Sequence, residues 1–199
     1  IEVRQPLVPA KGSPLAIGAC RAVTVTSVSE VGWWDTPRMM EEMKAGGGPA
    51  ACQWSIRFDP ENAAGSCSLI EVEGLDGTTR RILLDAGWNP EYMAERFRAT
   101  GVDRLLVDGG IDFLYLSHEH LDHFWGIEAV LRLAPEITIL VPGTLRVEGL
   151  AWLRGDAFPA AGIANHVPHR GPVVRMLPGG VHRLTEGVAS VTFDLPILL

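Results

Sequence analysis

The chain has 199 residues, of which 47% are hydrophobic and 21% charged, and this balance predicts one folded globular domain rather than a disordered chain. Its formal net charge of −7 gives no electrostatic basis for a nucleic-acid or anionic-membrane partner, and no apolar run reaches the roughly 20 residues of a membrane span. We therefore expect a soluble protein of the cytoplasm, with an exported mature form as the alternative, because the sequence begins at Ile1 without a methionine.

The N-terminal part of the sequence predicts an arm followed by one strand. Residues 1–19 contain Pro6, Pro9 and Pro14 among scattered apolar residues, a composition typical of an extended arm. The arm leads into AVTVTSVS at residues 22–29, where apolar side chains alternate with polar ones. That alternation predicts a β-strand.

A long segment, residues 32–65, separates this strand from the next one. Thr36 and Pro37 predict the start of a short helix over RMMEEMK, and GGGP predicts its end. Connections of this length inside a compact domain are more often lids or binding loops than filler, so we interpret the segment as a lid-like insertion. Trp33 and Trp34 are candidates for the wall of a substrate pocket, and covering the edge of the core is their alternative role.

The middle of the sequence alternates strands and helices. SLIEVEGLDGTTRRILLD predicts a β-hairpin, and Asn89, Pro90 and Gly101 mark the two ends of a following helix. A turn-rich segment up to Gly110 precedes IDFLYLS, an unbroken apolar run typical of a strand buried on both faces. FWGIEAVLRLA then has helical periodicity, and ITILV predicts another buried strand. This alternation predicts a layered α/β fold.

Three histidines, a glutamate and an aspartate lie within six consecutive residues directly after IDFLYLS. His118 and His120 are two residues apart, so on an extended backbone both side chains point to the same side and can reach one metal ion. Asp122 and His123 follow at the predicted start of the next helix, where the helix dipole favours a carboxylate. Imidazole and carboxylate ligands suit Zn²⁺ and also accept Fe or Mn. Metal binding is the favoured interpretation, and a solvated polar strand end is the alternative.

The cluster HEHLDH, residues 118–123, resembles the HxHxDH motif of the metallo-β-lactamase superfamily. The resemblance extends from about Val23 to Val141. The sequence around the motif is most similar to that of metal-dependent hydrolases related to the dihydropterin ribofuranosylaminobenzene-phosphate synthases. Asp85, in LLDAGW, lies where the superfamily has an aspartate that closes its second β-hairpin. The resemblance implies that Asp85 accepts a hydrogen bond from a ligand imidazole and fixes its tautomer, and a plain turn aspartate is the alternative.

The resemblance implies a single αββα sandwich domain over residues 1–199, with two metal ions, Zn²⁺ by preference, at the edge between its sheets. His118 and His120 would bind the first ion, and Asp122 and His123 the second. A bridging water or hydroxide would be the nucleophile. Asp122 is also the candidate catalytic residue, because its carboxylate can orient that water or move its proton.

The metal site of the superfamily needs further ligands: a third histidine, a bridging aspartate and a last histidine. His166, His169 and His182 are the candidates within this sequence, and a surface or substrate-loop position is the alternative for each. The sequence ends in VASVTFDLPILL, which alternates as a strand and stops on three apolar residues. We therefore expect the domain to be incomplete at its C-terminus and to cover the N-terminal part of the full fold. A C-terminal segment or a second chain would supply the missing ligands.

Together these features predict a dinuclear metal-dependent hydrolase of a small-molecule ester, lactone, thioester or phosphate-containing substrate. Without the missing ligands, we expect the chain to be inactive. A flavodiiron-like redox enzyme on the same fold is an alternative, but those proteins resemble HxExDH and have a carboxylate where this chain has His120. A non-catalytic half-domain that needs a partner chain is the other alternative, and it follows from the incomplete ligand set.

Overall fold

A computed structural model describes residues 1–8, 11–62 and 64–192 of the chain. Within these residues the strands are β1 Glu2–Arg4, β2 Cys20–Ser29, β3 Cys67–Gly74, β4 Thr79–Leu84, β5 Phe113–Tyr115, β6 Ile139–Pro142, β7 Ala157–Phe158, β8 Ile163–Ala164, β9 Val173–Met176, β10 Gly180–Thr185 and β11 Val188–Thr192. Seven of them form one sheet in the order β1-β9-β6-β5-β4-β3-β2. The pairs β7–β8 and β10–β11 are separate two-stranded sheets.

The helices within the described residues are short. They are α1 Thr36–Ala45, α2 Pro90–Thr100, α3 Val102–Val107, α4 Leu121–Phe124, α5 Ile127–Leu131 and α6 Val147–Leu153. Three single 3₁₀ turns, Gly48–Ala50, Gln53–Ser55 and Pro60–Asn62, complete the segment between β2 and β3. In the part of the chain that the structure describes, no helix is both long and apolar enough to cross a membrane.

The large sheet is mixed. Strands β2, β3 and β4 pair antiparallel as a meander, whereas β4, β5, β6, β9 and β1 pair parallel. Parallel strands place their carboxyl ends at the same edge of a sheet, and the loops that leave those ends meet there. The connections after β4, β5 and β6 therefore come together at one edge.

The alternation of side chains along the strands builds two different cores. Leu83, Leu114 and Ile139 point to one face, where they pack in a large buried cluster with helical residues such as Phe97 of α2. On the other face, Leu140, Val174 and Met176 pack with Phe113, Tyr115 and Leu184, the last of which lies in β10. The hairpin β10–β11 is therefore a second β layer, and the α/β class predicted from the sequence is confirmed.

The helix signals in the sequence are confirmed at α2. The Asn89 side chain accepts hydrogen bonds from the backbone N–H groups of Glu91 and Tyr92, and Gly101 ends the helix with a left-handed φ of 77°. At α1 the prediction is one residue off, because Asp35 rather than Thr36 is the N-cap and accepts from the Arg38 backbone N–H.

Four other segments differ from the sequence-based expectation or extend it. Helices α3 and α6 were not predicted, since six or seven residues are too few to show a helical period. The arm over residues 1–19 contains β1, which pairs in parallel with β9, so the arm is joined to the sheet. The predicted C-terminal strand is present as β11, and residues 193–199 lie outside the described residues, as does Pro9.

Candidate metal centre

The predicted metal ligands lie at the sheet edge where the parallel strands end. Asp85 follows β4 directly, and the segment 117–123 follows β5, the neighbouring parallel strand. The Asp85 backbone N–H donates to the Tyr115 carbonyl at 2.8 Å, and the Ala86 N–H donates to the His123 carbonyl at 2.8 Å. The residues that follow β4 are thus hydrogen-bonded to both ends of the turn that follows β5. Asp85 takes a φ of 60°, a left-handed conformation that aspartate tolerates better than most residues.

The buried carboxylate of Asp85 organises this turn. Its Oδ1 accepts a hydrogen bond from the Ser117 backbone N–H at 2.7 Å, and its Oδ2 accepts one from the Ser117 hydroxyl at 2.8 Å. Oδ2 also lies 2.7 Å from His123 Nδ1. An ionised carboxylate only accepts hydrogen bonds, so Nδ1 of His123 has to donate, and in the neutral ring the lone pair is then on Nε2. The contact expected of Asp85 is present, and its role behind a metal ion stays a prediction.

The same argument fixes the tautomer of His118. The Ser117 hydroxyl donates its hydrogen bond to Asp85, so its oxygen accepts a hydrogen bond from His118 Nδ1, which lies 2.9 Å away. The lone pair of His118 is therefore on Nε2, which faces Nδ1 of His120 at 3.1 Å. Two nitrogens bound to one tetrahedral zinc at about 2.0–2.1 Å would be about 3.4 Å apart. These two atoms are already near that separation.

The electrostatics of the three rings differ. Burial, followed by the neighbouring imidazoles of His123 and His120, lowers the pKa of His118 to about 4, so this ring is neutral at physiological pH. Burial also lowers the pKa of His120. Burial opposes protonation of His123 too, but the hydrogen bond and charge of Asp85, together with Asp122, outweigh it and raise the pKa of His123. His118 and His120 are therefore the better prepared of the three to bind a cation.

Asp122 and Glu119 lie on different sides of the turn. The Asp122 carboxylate Oδ2 is 3.7 Å from His123 Nε2, on the side of the histidine rings. Glu119 is buried and points away, where its carboxylate accepts from the Arg146 backbone N–H at 2.9 Å and lies 3.3 Å from Arg146 Nε. Gln53, in the insertion, donates from Nε2 to the Glu119 carbonyl. Sequence reasoning did not identify Gln53, because its partner is 66 positions away.

The other histidines proposed as ligands are engaged elsewhere. Nδ1 of His166 lies 3.2 Å from a Glu128 carboxylate oxygen, and Nε2 of His169 lies 2.6 Å from the Ile137 carbonyl. His182 is buried in β10, with Nε2 2.8 Å from a backbone carbonyl. Among the described residues, no set of three or more His, Cys, Asp or Glu side chains is arranged to hold a metal ion. The structure does not bring these histidines to the cluster. The donor chemistry and the His118–His120 pair fit a metal ion, but the residues that the structure describes do not place a third ligand beside them.

The two tryptophans at the start of the insertion have separate positions. Trp33 packs against Phe58 and Trp88 and lines a pocket that His120 and Asp122 also line. Trp34 is 66% exposed and stacks edge-on against Tyr92, outside that pocket. The structure therefore brings Trp33, and not Trp34, to the site, because adjacent residues of the chain point in different directions here.

Comparison with known proteins gives one family and several distant structures. A family model described as the metallo-beta-lactamase superfamily matches residues 62–194, more than half of the chain. A metallo-beta-lactamase from Cronobacter sakazakii (Enterobacter sakazakii) is 19% identical, with a TM-score of 0.36, over 59% of this chain and 44% of that chain. The Flv1 flavodiiron core from Synechocystis sp. PCC6803 is 19% identical, with a TM-score of 0.45, over 89% of this chain and 34% of that chain.

A third solved structure, a quorum-quenching N-acyl homoserine lactone lactonase, is 14% identical, with a TM-score of 0.40, over 86% of this chain and 62% of that chain. The chain thus spans less than two thirds of the length of each of these three proteins. No relative among curated proteins matches the sequence.

Proposed function

Because the chain belongs to the metallo-beta-lactamase superfamily, we propose that it provides the first ligands of a dinuclear metal-dependent hydrolase. The proposed substrate is a small-molecule ester, lactone, thioester or phosphate-containing compound. The observation that supports this proposal is the pair His118 Nε2 and His120 Nδ1, which face each other at 3.1 Å on a turn fixed by a buried carboxylate. The neutral imidazole of His118, held in the tautomer that presents Nε2, is suited to bind a cation.

The residues of the turn would supply ligands to two metal ions. His118 and His120 would hold the first ion, and Asp122 and His123 the second, with Zn²⁺ as the expected metal and Fe or Mn as alternatives. When bound, the metals would supply an activated water and an electrophile for the carbonyl or phosphoryl oxygen of the substrate. The Asp122 carboxylate would orient that water and accept its proton. Asp85 would keep His118 and His123 in the tautomers that present Nε2.

The remaining ligands would come from polypeptide outside this chain. A catalytic zinc has three protein ligands as a rule, and the described residues bring two imidazole nitrogens together. The proposal therefore includes a C-terminal segment or a second chain that completes the site. It also predicts weak metal binding and low turnover for the 199-residue chain alone.

The first test measures Zn²⁺ affinity by competition with a chromophoric chelator. We expect His118→Ala and His120→Ala each to weaken binding at least tenfold, because each removes one of two ligating nitrogens. His166→Ala is the matched control, since that side chain is 77% exposed and contacts Glu128 instead. Equal affinities for the wild type and a His118→Ala/His120→Ala double variant would refute the metal centre.

The second test measures turnover of a simple ester or lactone with Zn²⁺ or Mn²⁺ supplied. We expect the wild type to show a low rate of metal-dependent hydrolysis and Asp122→Ala to lose it, with the circular dichroism spectrum unchanged because the Asp122 side chain is 18% exposed and lines the pocket rather than the core. Activity that survives in both His120→Ala and Asp122→Ala would remove the hydrolase proposal. Restored or increased activity on adding the C-terminal segment as a separate chain would support the completion of the site from outside.

A further inference from the structure

The insertion over residues 32–65 builds an apolar pocket directly beside the metal ligands. The cavity has a volume of about 160 Å³, and one of its walls is formed by His120 and Asp122. The rest of the lining comes mainly from the insertion and includes Trp33, Met39, Met43, Ile56 and Phe58. The pocket is therefore next to the candidate metal ligands His120 and Asp122.

Helix α1 presents one face to this pocket. Met39 and Met43 are four residues apart, so they lie on the same side of the helix, and both are half-buried, whereas Met40 is 45% exposed on another side. Below them, Ile56 and Phe58 are almost fully buried and anchor the floor of the pocket. Methionine side chains adapt to irregular apolar shapes, which suits a wall that closes around a ligand.

The charges at the pocket define which end of a ligand faces which wall. In the part of the chain that the structure describes, no lysine or arginine lines the pocket, and the ionisable groups on its wall are those of His120 and Asp122. A ligand would therefore direct its polar, reacting group toward the metal ligands and its uncharged part toward the insertion. An anionic tail would find no counter-charge there.

We infer that this pocket binds an apolar hydrocarbon group next to the scissile bond, so that the substrate is an ester, lactone or thioester with a hydrophobic substituent. An apolar cavity of about 150 Å³ holds one benzene molecule, so the group has up to about six carbon atoms. This inference rests on the proposed function and gives it a substrate class. It assigns Trp33, Met39 and Met43 as specificity-determining residues.

The test uses straight-chain carboxylates as probes, with Zn²⁺ supplied so that the carboxylate can face a cation, and needs no turnover. The protein is labelled with ¹³C at its five methionine methyl groups and titrated with acetate, butanoate, hexanoate and octanoate, and the signals are assigned with single Met→Ala variants. We expect the Met39 and Met43 signals to shift and the Met40 signal to stay. Affinity should rise up to about fourfold per added methylene and level off beyond hexanoate, when the pocket is full.

Two variants test the assignment of the wall. Ala51→Leu adds bulk to a residue that lines the pocket, so it should weaken hexanoate binding about tenfold or more and leave acetate unchanged. Met39→Ala enlarges the pocket and should move the optimum toward octanoate, whereas Met40→Ala on the same helix should have no effect. Equal shifts for acetate and hexanoate, or shifts at Met40 as large as at Met39, would overturn the inference.

The result separates this inference from the proposed function. Binding of Zn²⁺ that depends on His120, together with methyl signals that do not respond to hexanoate, would refute the pocket and leave the hydrolase in place. A hexanoate response without histidine-dependent Zn²⁺ binding would refute the hydrolase, and the pocket would then lose its assigned reaction. Both responses together support the inferred substrate class.

Discussion

The histidine turn, residues 117–123, and the insertion, residues 32–65, both line one pocket and are held in place by different forces. The turn is fixed by polar contacts: the carboxylate of Asp85 accepts three hydrogen bonds from Ser117 and His123, and backbone bonds tie it to its surroundings. The insertion is fixed mainly by packing, with Trp33, Phe58 and neighbouring aromatic rings in mutual contact. Hydrogen bonds are directional and fix atoms, whereas apolar contacts fix volume.

The difference matches what each wall has to do. A metal ligand has to present one lone pair in one direction, so a hydrogen-bonded carboxylate behind it is useful. A wall that receives a hydrocarbon group needs shape rather than direction, and flexible methionines provide it. The two regions should therefore respond differently to substitution. Changes in the polar turn should affect metal binding, and changes in the insertion should affect ligand preference.

The largest expected effect comes from Gly65, where the insertion meets the turn. Gly65 has a φ of +78°, and a Cβ there would lie 2.4 Å from the Asp122 carbonyl oxygen and 2.5 Å from the Trp88 backbone nitrogen. We expect Gly65→Ala to lower the free energy of unfolding by about 3–5 kcal/mol, because backbone atoms cannot yield as flexible side chains do. Urea unfolding followed by circular dichroism measures the change.

Gly77 provides the matched control for Gly65. It has a similar φ of +81°, but a Cβ there would meet nothing within 4 Å. Gly77→Ala should therefore cost about 1 kcal/mol, the strain of the left-handed backbone alone. The difference between the two losses in free energy of unfolding measures the steric effect of the close backbone contacts at Gly65. Equal costs for both would mean that the backbones are not in contact at Gly65.

The second largest effect is expected from Asp85, which holds the histidine turn by hydrogen bonds. In Asp85→Asn an NH₂ group replaces one carboxylate oxygen and faces either the Ser117 hydroxyl and His123 Nδ1 or the Ser117 backbone N–H, and it cannot accept a hydrogen bond from any of these donors. The tautomers of the histidines are then no longer fixed, and we expect a 10- to 100-fold loss of Zn²⁺ affinity. The chelator competition assay measures it, with the methyl signals of Met39 and Met43 as a readout that should not move.

Ser117→Ala sharpens the same prediction. It removes the hydroxyl between Asp85 and His118 but leaves the bond from Asp85 to His123 in place. We expect a smaller loss of Zn²⁺ affinity than for Asp85→Asn, since one tautomer is released instead of two. A loss as large as that of Asp85→Asn would show that Asp85 acts through Ser117 alone.

The residues that could be predicted from the sequence are those whose signals are local. The ends of α2 follow from Asn89, Pro90 and Gly101, because caps and turn residues act on their immediate neighbours. His118 and His120 stand out for the same reason, as two imidazoles on one side of an extended segment. The resemblance to the family motif adds the prediction that these two residues bind a metal ion.

The parts that could not be predicted depend on contacts between distant positions. Gly101 ends α2 and also precedes α3, and a six-residue helix after a stop signal has no periodicity to reveal it. The pocket needs Met39 and Phe58 to meet His120, and nothing in their sequence spacing indicates that. Trp33 and Trp34 are equivalent in the sequence, and only the packing of Trp33 against Trp88 separates them.

The smallest expected effect concerns Gln53, the residue that joins the two regions. Its Nε2 donates to the carbonyl of Glu119, which lies between His118 and His120, while its Oε1 is buried without a hydrogen-bond partner among the described residues. Gln53→Leu therefore removes one hydrogen bond and one unsatisfied acceptor together. These effects oppose each other, so we expect the free energy of unfolding to change by no more than about 1 kcal/mol.

Gln53→Leu should nevertheless weaken Zn²⁺ binding, by less than Ser117→Ala does, because the backbone between His118 and His120 loses its anchor. Gln5→Leu is the control, since Gln5 is exposed and far along the chain from the turn. If Gln53→Leu destabilised the protein by several kcal/mol, the amide would be part of the structural core. If it changed neither stability nor affinity, the turn would be held from the Asp85 side alone, and the two walls would be independent.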